Sequence, residues 1–193
     1  MIEQLTLLDL PVLEATPSPA QAKVSKSKPP RLNVVVDRLD IPHTPFEVIQ
    51  AVLACLQEVD LDPCSHAQAS SAVPTKKRFI QGEEGLSQAW RGKVYLQPSD
   101  WQAMEQWIDK LCREYESGRV SDAIALVPAC VDAPWFERLG GYPVCFLRQH
   151  RTRWQGDSYD RLPAAVFYLG QNLEQFIQAF RQLGRIYAAV DSL

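Results

Sequence analysis

The sequence predicts a three-layer α/β/α domain with a mostly parallel sheet, and three observations lead there. Several apolar runs are continuous instead of alternating, among them "VYL" (residues 94–96), "AIALV" (123–127) and "AAVFYL" (164–169), as expected of strands covered on both faces. Helical periodicity intervenes early and late, as βα alternation requires. Three of the apolar runs also leave through a Pro into polar residues.

The elements follow in order. In "HTPFEVIQAVLACLQEV" Thr44 stands as N-cap, Pro45 at the first helical position and Glu47 three after the cap, the pattern of a capping box. Phe46, Ile49, Val52, Leu53 and Leu56 then recur at helical spacing. "VDLDP" reads as a short strand, and "GKVYLQP" as a second, entered by a Gly and ended by a Pro. Trp101, Met104, Ile108, Leu111, Cys112 and Tyr115 mark the next helix, which Gly118 closes. "AIALVPA", "PVCFLR" and "AAVFYLG" are further strands, "NLEQFIQAFRQLG" is a helix and "RIYAAV" a last strand. The later strands have less helix between them and leave room for an antiparallel pair.

With 193 residues, 46% of them apolar, the chain has the makings of one globular domain and a tail. Residues 1–31 form a flexible arm, because "PVLEATPSPAQAKVSKSKPP" is rich in Pro, Ala, Ser and Lys and lacks aromatics; residues 32–193 form the domain. A net charge of -3 excludes a generally basic nucleic-acid coat but not a local basic face. Cys55, Cys64, Cys112, Cys130 and Cys145 form no CxxC pair and the three histidines are scattered, so no metal site is expected and the cysteines read as core residues in a reducing compartment. No run is apolar and long enough to cross a bilayer, and the start "MIEQLTLLDLP" carries an acid where a signal peptide carries basic residues, which predicts a cytoplasmic location. The apolar patch from Gln4 to Leu10 has the form of a docking peptide and resembles the Gln-Leu-x-Leu peptides that bind the replication sliding clamp; a segment packing back on the domain is the plainer reading.

In open parallel sheets ligands bind beyond the carboxyl ends of the strands. "DLDPCS" places Asp60 and Asp62 at such an end, "YLQPSD" places Gln97, Ser99 and Asp100, and "LVPACVD" places Pro128 and Asp132. Proline there halts the ladder and frees carbonyls for a ligand, or simply terminates the strand. Neither GxGxxG nor GxxxxGK occurs, which argues against nucleoside triphosphates and ordinary dinucleotides. Acidic strand ends suit a ligand held through hydroxyls and an amine.

Taken together, "HTP" (43–45), "DLDPCS" (60–65), "EEGLSQAWRGKVYLQP" (83–98), "WIDK" (107–110), "AIALVPA" (123–129), "PWF" (134–136), "YPVCFLR" (142–148) and "LPAAVFYLG" (162–170) resemble, in order and spacing, the phage-type DNA N-6-adenine methyltransferase (Dam) family. The resemblance implies a Rossmann-like methyltransferase fold, S-adenosylmethionine as cofactor, and DNA as partner. It further implies that Thr44, Pro45, Asp62 and Pro63 line the cofactor pocket, with Glu84 beside the adenosine. The exit after residue 96 corresponds to the family's catalytic loop, Asn-Pro-Pro-Tyr, where the first side chain and the next carbonyl take hydrogen bonds from the target amine and the aromatic stacks on the flipped base.

Here the chain reads Gln97-Pro98-Ser99-Asp100. The extra methylene of Gln97 displaces the carboxamide by roughly 1 Å, a shift that can cost on the order of a hundredfold in rate. Asp100 puts a charge in the place of the stacking ring and forfeits about 1–3 kcal/mol. Two readings follow: a weak or inactive adenine methyltransferase, and a non-catalytic regulatory or binding module. "FLRQHRTRWQGDSYDR" adds Arg148, Arg151, Arg153, Trp154 and Arg161, whose mixture of guanidinium and aromatic groups suits DNA. Lys76, Lys77 and Arg78 read as ordinary surface.

Overall fold

The computed structural model describes residues 44–65, 73–80, 85–100, 102–153 and 161–189. In chain order they form α1 (Phe46–Leu56), β1 (Leu61–Ser65), β2 (Lys77–Ile80), β3 (Gly92–Leu96), α2 (Met104–Glu116), β4 (Val120–Pro128), α3 (Pro134–Glu137), β5 (Val144–Arg153), β6 (Arg161–Leu169), α4 (Leu173–Phe180) and β7 (Gly184–Tyr187).

The strands make one sheet in the order β2-β1-β3-β4-β6-β5-β7. This overturns the expectation of a mostly parallel, Rossmann-like sheet. The pairs β1–β2, β1–β3 and β3–β4 are parallel, but β4–β6, β5–β6 and β5–β7 are antiparallel. The connections supply the reason. Only residues 154–160 separate β5 from β6, too short for the crossover that parallel neighbours need, so the chain reverses into a hairpin.

Two helical layers cover the sheet, and neighbouring residues of β6 reveal them. Tyr168 stacks on Phe176 of α4, whereas Phe167 meets Phe136 of α3 edge-on; adjacent strand residues point to opposite faces. On the first face α1 packs beside α4, with Gln175 Nε2 donating to the Ala54 carbonyl. Lys93 Nζ donates to the Leu56 carbonyl at the end of α1, where a cation complements the helix dipole. On the second face α2 and α3 lie together. The core between the layers is built from β4 and β6, whose residues 123–128 and 164–169 are buried throughout. Burying so much of two strands, at about 25 cal/mol per Å² of apolar surface, dominates what holds this half of the sheet.

Two elements escape the sequence pattern. β2, "KRFI", buries only Phe79 and is an edge strand, and α3 is a single turn begun by Pro134. The basic cluster read as ordinary surface is therefore partly strand, and Lys76 is paired with Glu58 and Asp60. Among the described residues all five cysteines are free, four of them buried. No described helix is long and apolar enough to cross a membrane, and no described group of three or more His, Cys, Asp or Glu side chains is placed to hold a metal ion.

Candidate functional site

β1, β3 and β4 run parallel and end at one edge of the sheet, where the loop from Gln97 to Asp100 leaves β3. Tyr95 is in register with Ile124, and Ile124 with Tyr168, so Tyr95 faces the α1/α4 layer. Gln97 follows two residues later on the same side.

Thr44 sits on that side too, and its role differs from the one its sequence pattern suggests. Pro45, not Thr44, is the N-cap of α1, and no side chain caps the helix. The Thr44 hydroxyl is turned inward, 3.1 Å from Tyr95 OH, and donates to Gln97 Oε1. Tyr95 OH also donates to Gln97 Oε1, at 2.8 Å. The carboxamide oxygen thus takes two hydrogen bonds, one for each lone pair. Gln97 Nε2 is buried and has no partner among the described residues, as is true of Ser99 Oγ and Ser65 Oγ. An unsatisfied buried polar group costs about 1–3 kcal/mol, so three at one edge are an unusual concentration.

Asp62 is 5% exposed on β1. Burial pushes its carboxyl up to about 6, against the hydrogen bond from the Cys64 N–H, the nearby Ser65 and the positive charge of Arg78. The Cys64 N–H donates to Asp62 Oδ1 at 3.1 Å. Ser65 stands near enough to help hold that pKa down, yet its hydroxyl meets no acceptor in hydrogen-bonding geometry. Burial also drives the Tyr95 phenol well above its ordinary value, and the Asp62 charge adds to it. The Cys64 thiol, beside the Ser99 N–H, is pushed up to about 12 by burial and stays protonated, so it is no nucleophile at neutral pH.

The structure unites Thr44, Asp62, Gln97 and Ser99, and it adds Tyr95, Cys64 and Ser65, which sequence reasoning passed over. The signal for Tyr95 was its place two residues before Gln97 in a strand. Pro63 lies within β1 instead of ending it, and Pro128 is the last residue of β4, still in register with Ala164. Asp60 lies at the opposite end of β1, where it accepts from the Lys93 N–H and from Lys76, so it is no part of this edge. Pro98 is buried and Asp100 exposed, with its Oδ1 accepting from the Gln102 N–H. Glu84 and Trp154 lie outside the described residues, as do residues 4–10. Gly85, however, packs directly on the Pro63 carbonyl, which brings the segment after Glu84 to the end of β1.

The predicted DNA-binding arginines divide. Arg148 is exposed and its guanidinium reaches the Arg181 and Gln182 carbonyls after α4, at 3.5 and 3.4 Å. Arg151 and Arg153 of β5 pair with Pro163 and Arg161 of β6. That end of the hairpin belongs to the same edge as Gln97, since Pro128 at the end of β4 pairs with Ala164. Arg161 is three residues further out, about 10 Å beyond the end of β4 at strand rise. A groove of about 600 Å³ lined by Gln57, Asn172, Gln175 and Gln178 lies between the end of α1 and the start of α4, away from this cluster.

Chemically, the edge offers one buried carboxylate, two hydroxyls and one carboxamide N–H₂. Such groups can hydrogen-bond a polar ligand; among the described residues they do not form a nucleophile–base pair. Comparison with family models, curated proteins and solved structures gives no match.

Proposed function

We propose that this chain is an S-adenosylmethionine-binding protein of the DNA adenine methyltransferase type that binds at the strand exits without efficient methyl transfer. One observation carries the second half of the reading. The Gln97 oxygen, which in the resembling family's loop takes a hydrogen bond from the target amine, is here occupied by Tyr95 and Thr44.

The residues present suit the cofactor. Asp62, ionised above about pH 6, accepts from hydroxyl or ammonium groups, and the Ser65 and Ser99 hydroxyls, without partners among the described residues, add two more polar contacts. When bound, S-adenosylmethionine supplies an electrophilic methyl group. Transfer to an amine needs acceptors beside the nitrogen, and Gln97 as held offers a donor. Asp100, exposed and charged, offers no aromatic face to a base. The hairpin arm carrying Arg151, Arg153 and Arg161 rises from the same edge, which supports a nucleic-acid surface beside the strand exits.

The test is calorimetric titration of the full chain with S-adenosylmethionine, followed by a methylation assay on unmethylated duplex DNA. Saturable binding with transfer at or near background is the expected result. No binding at millimolar ligand overturns the reading, and efficient turnover overturns the claim that the loop has lost its chemistry.

A further inference from the structure

The polarity of the loop has a consequence for what it selects. Gln97 is 9% exposed and Ser99 1%. With Oε1 held by Tyr95 OH and Thr44, the carboxamide turns its nitrogen away from them, and Nε2 keeps its two hydrogens unpaired among the described residues. Ser99 Oγ, two residues along the same loop, is likewise unpartnered among the described residues. A hydroxyl can accept or donate, but an amide N–H₂ only donates. An amine placed against Gln97 Nε2 would set donor against donor, whereas a carbonyl oxygen would satisfy it. Gln97 Nε2 and Ser99 Oγ are both closed to solvent in the ligand-free chain, while the flanking Pro45 is half-buried and Asp100 exposed.

We propose that the subsite at Gln97 and Ser99 receives a hydrogen-bond acceptor, the ring carbonyl of a nucleobase, in place of an exocyclic amine. The proposal rests on the reading of this edge as a cofactor and nucleic-acid site, and it assigns that site its base class. A 6-oxopurine presents the carbonyl at the very position where adenine presents its amine, so the two bases differ chiefly in the polarity that Gln97 would read.

The experiment compares two fluorescent single-stranded DNA 11-mers, identical except for a central hypoxanthine or adenine, by anisotropy with the full chain in saturating S-adenosylmethionine. Its binding is checked separately by calorimetry. The hypoxanthine strand is expected to bind about tenfold more tightly, the scale of one net hydrogen bond. Gln97→Met, which keeps the volume and removes the donor, should reduce the ratio to about one; Tyr95→Phe, which releases one hold on the carboxamide oxygen, should lower it without abolishing it. Equal binding of the two strands, failure of both to bind while the cofactor binds, or a ratio unchanged by Gln97→Met each overturns the proposal. A preference for adenine overturns it as well, since it would mean that the carboxamide presents its oxygen. Absence of cofactor binding in the calorimetric arm removes the underlying reading and the proposal with it.

Discussion

Gly85 lies against the carbonyl of Pro63 so closely that a Cβ built on it would stand 2.3 Å from the carbonyl oxygen and 3.1 Å from the Trp107 ring. The carbonyl is main chain of a strand, so it cannot step aside cheaply. The contact fixes where the chain after Glu84 crosses the end of β1, and Trp90 Nε1 reinforces it by donating to the Gly85 carbonyl at 2.8 Å. Gly85→Ala should therefore cost about 1–3 kcal/mol through forced displacement. For a domain of this size each kcal/mol lowers the melting temperature by roughly 2–4 °C. Thermal melts of both proteins check this, and an unchanged melting temperature would mean that the crossing is not held there.

Asp62 gives a pH prediction whose sign is unusual for a carboxylate. Its folded pKa, about 6, lies above the unfolded value of 3.8 because burial disfavours the charge. The native state then binds the proton more tightly than the unfolded chain. Its contribution is most favourable below pH 3.8, is lost progressively as the pH rises to about 6, and is a fixed penalty above that. The penalty has a ceiling of about 3 kcal/mol. Asp62→Asn keeps an oxygen for the Cys64 N–H and removes the charge, so it should stabilise the ligand-free protein at pH 7.5, with the advantage shrinking toward pH 4.5. Denaturant titrations at the two pH values decide it. A variant less stable than the wild type at pH 7.5 would show that the carboxylate is compensated in the native state.

How much of this was legible beforehand differs residue by residue. The buried runs of β4 and β6 were plain, because a strand covered on both faces shows as continuous apolar sequence. Strand direction was not, since an antiparallel strand covered on both faces reads the same as a parallel one. β2 was hidden because "KRFI" buries a single side chain at an edge, and one buried residue has no period. Thr44 misled for a different reason. Thr-x-x-Glu matches a capping box, but the cap competes with tertiary partners, and the hydroxyl goes to Tyr95 and Gln97. The loop at Gln97 was found as a Pro-containing strand exit and then by its departure from a motif. The orientation of its carboxamide depends on Thr44, far away in sequence, and no local pattern encodes it.

Glu114 holds the region between α2 and β4 through two cations. It accepts from Lys110 Nζ at 2.9 Å and from Arg119 Nε, and the Lys110 side chain is only 13% exposed. Burial pushes the Glu114 carboxyl up, but the hydrogen bonds from Arg119 and Lys110 outweigh it and leave the pKa below its ordinary value. A depressed folded pKa stabilises the protein above the unfolded value of 4.5, and the gain disappears as pH falls through the folded pKa. Glu114→Gln should cost about 1–3 kcal/mol at pH 7, because it leaves the largely buried Lys110 ammonium without its counter-charge. Below pH 4 the difference from wild type should narrow. Chemical denaturation across that range is the check, and a constant difference would assign the loss to packing instead.

The arginines of the hairpin and Arg148 should separate in a salt titration. Arg151, Arg153 and Arg161 occupy the arm of β5 and β6 that reaches past the ends of the parallel strands, whereas Arg148 is drawn to the carbonyls that follow α4. Each phosphate contact removed lowers the slope of log K against log salt by about 0.7–0.9. If DNA lies along the edge that carries Gln97, Arg151→Gln and Arg153→Gln should each reduce that slope by about one unit or slightly less and weaken binding alike for all sequences. Arg148→Gln should leave the slope unchanged while loosening the turn between α4 and β7. Anisotropy titrations at several salt concentrations measure all three. A slope that responds to Arg148 and ignores Arg151 and Arg153 would move the nucleic-acid surface off the hairpin and away from the strand exits.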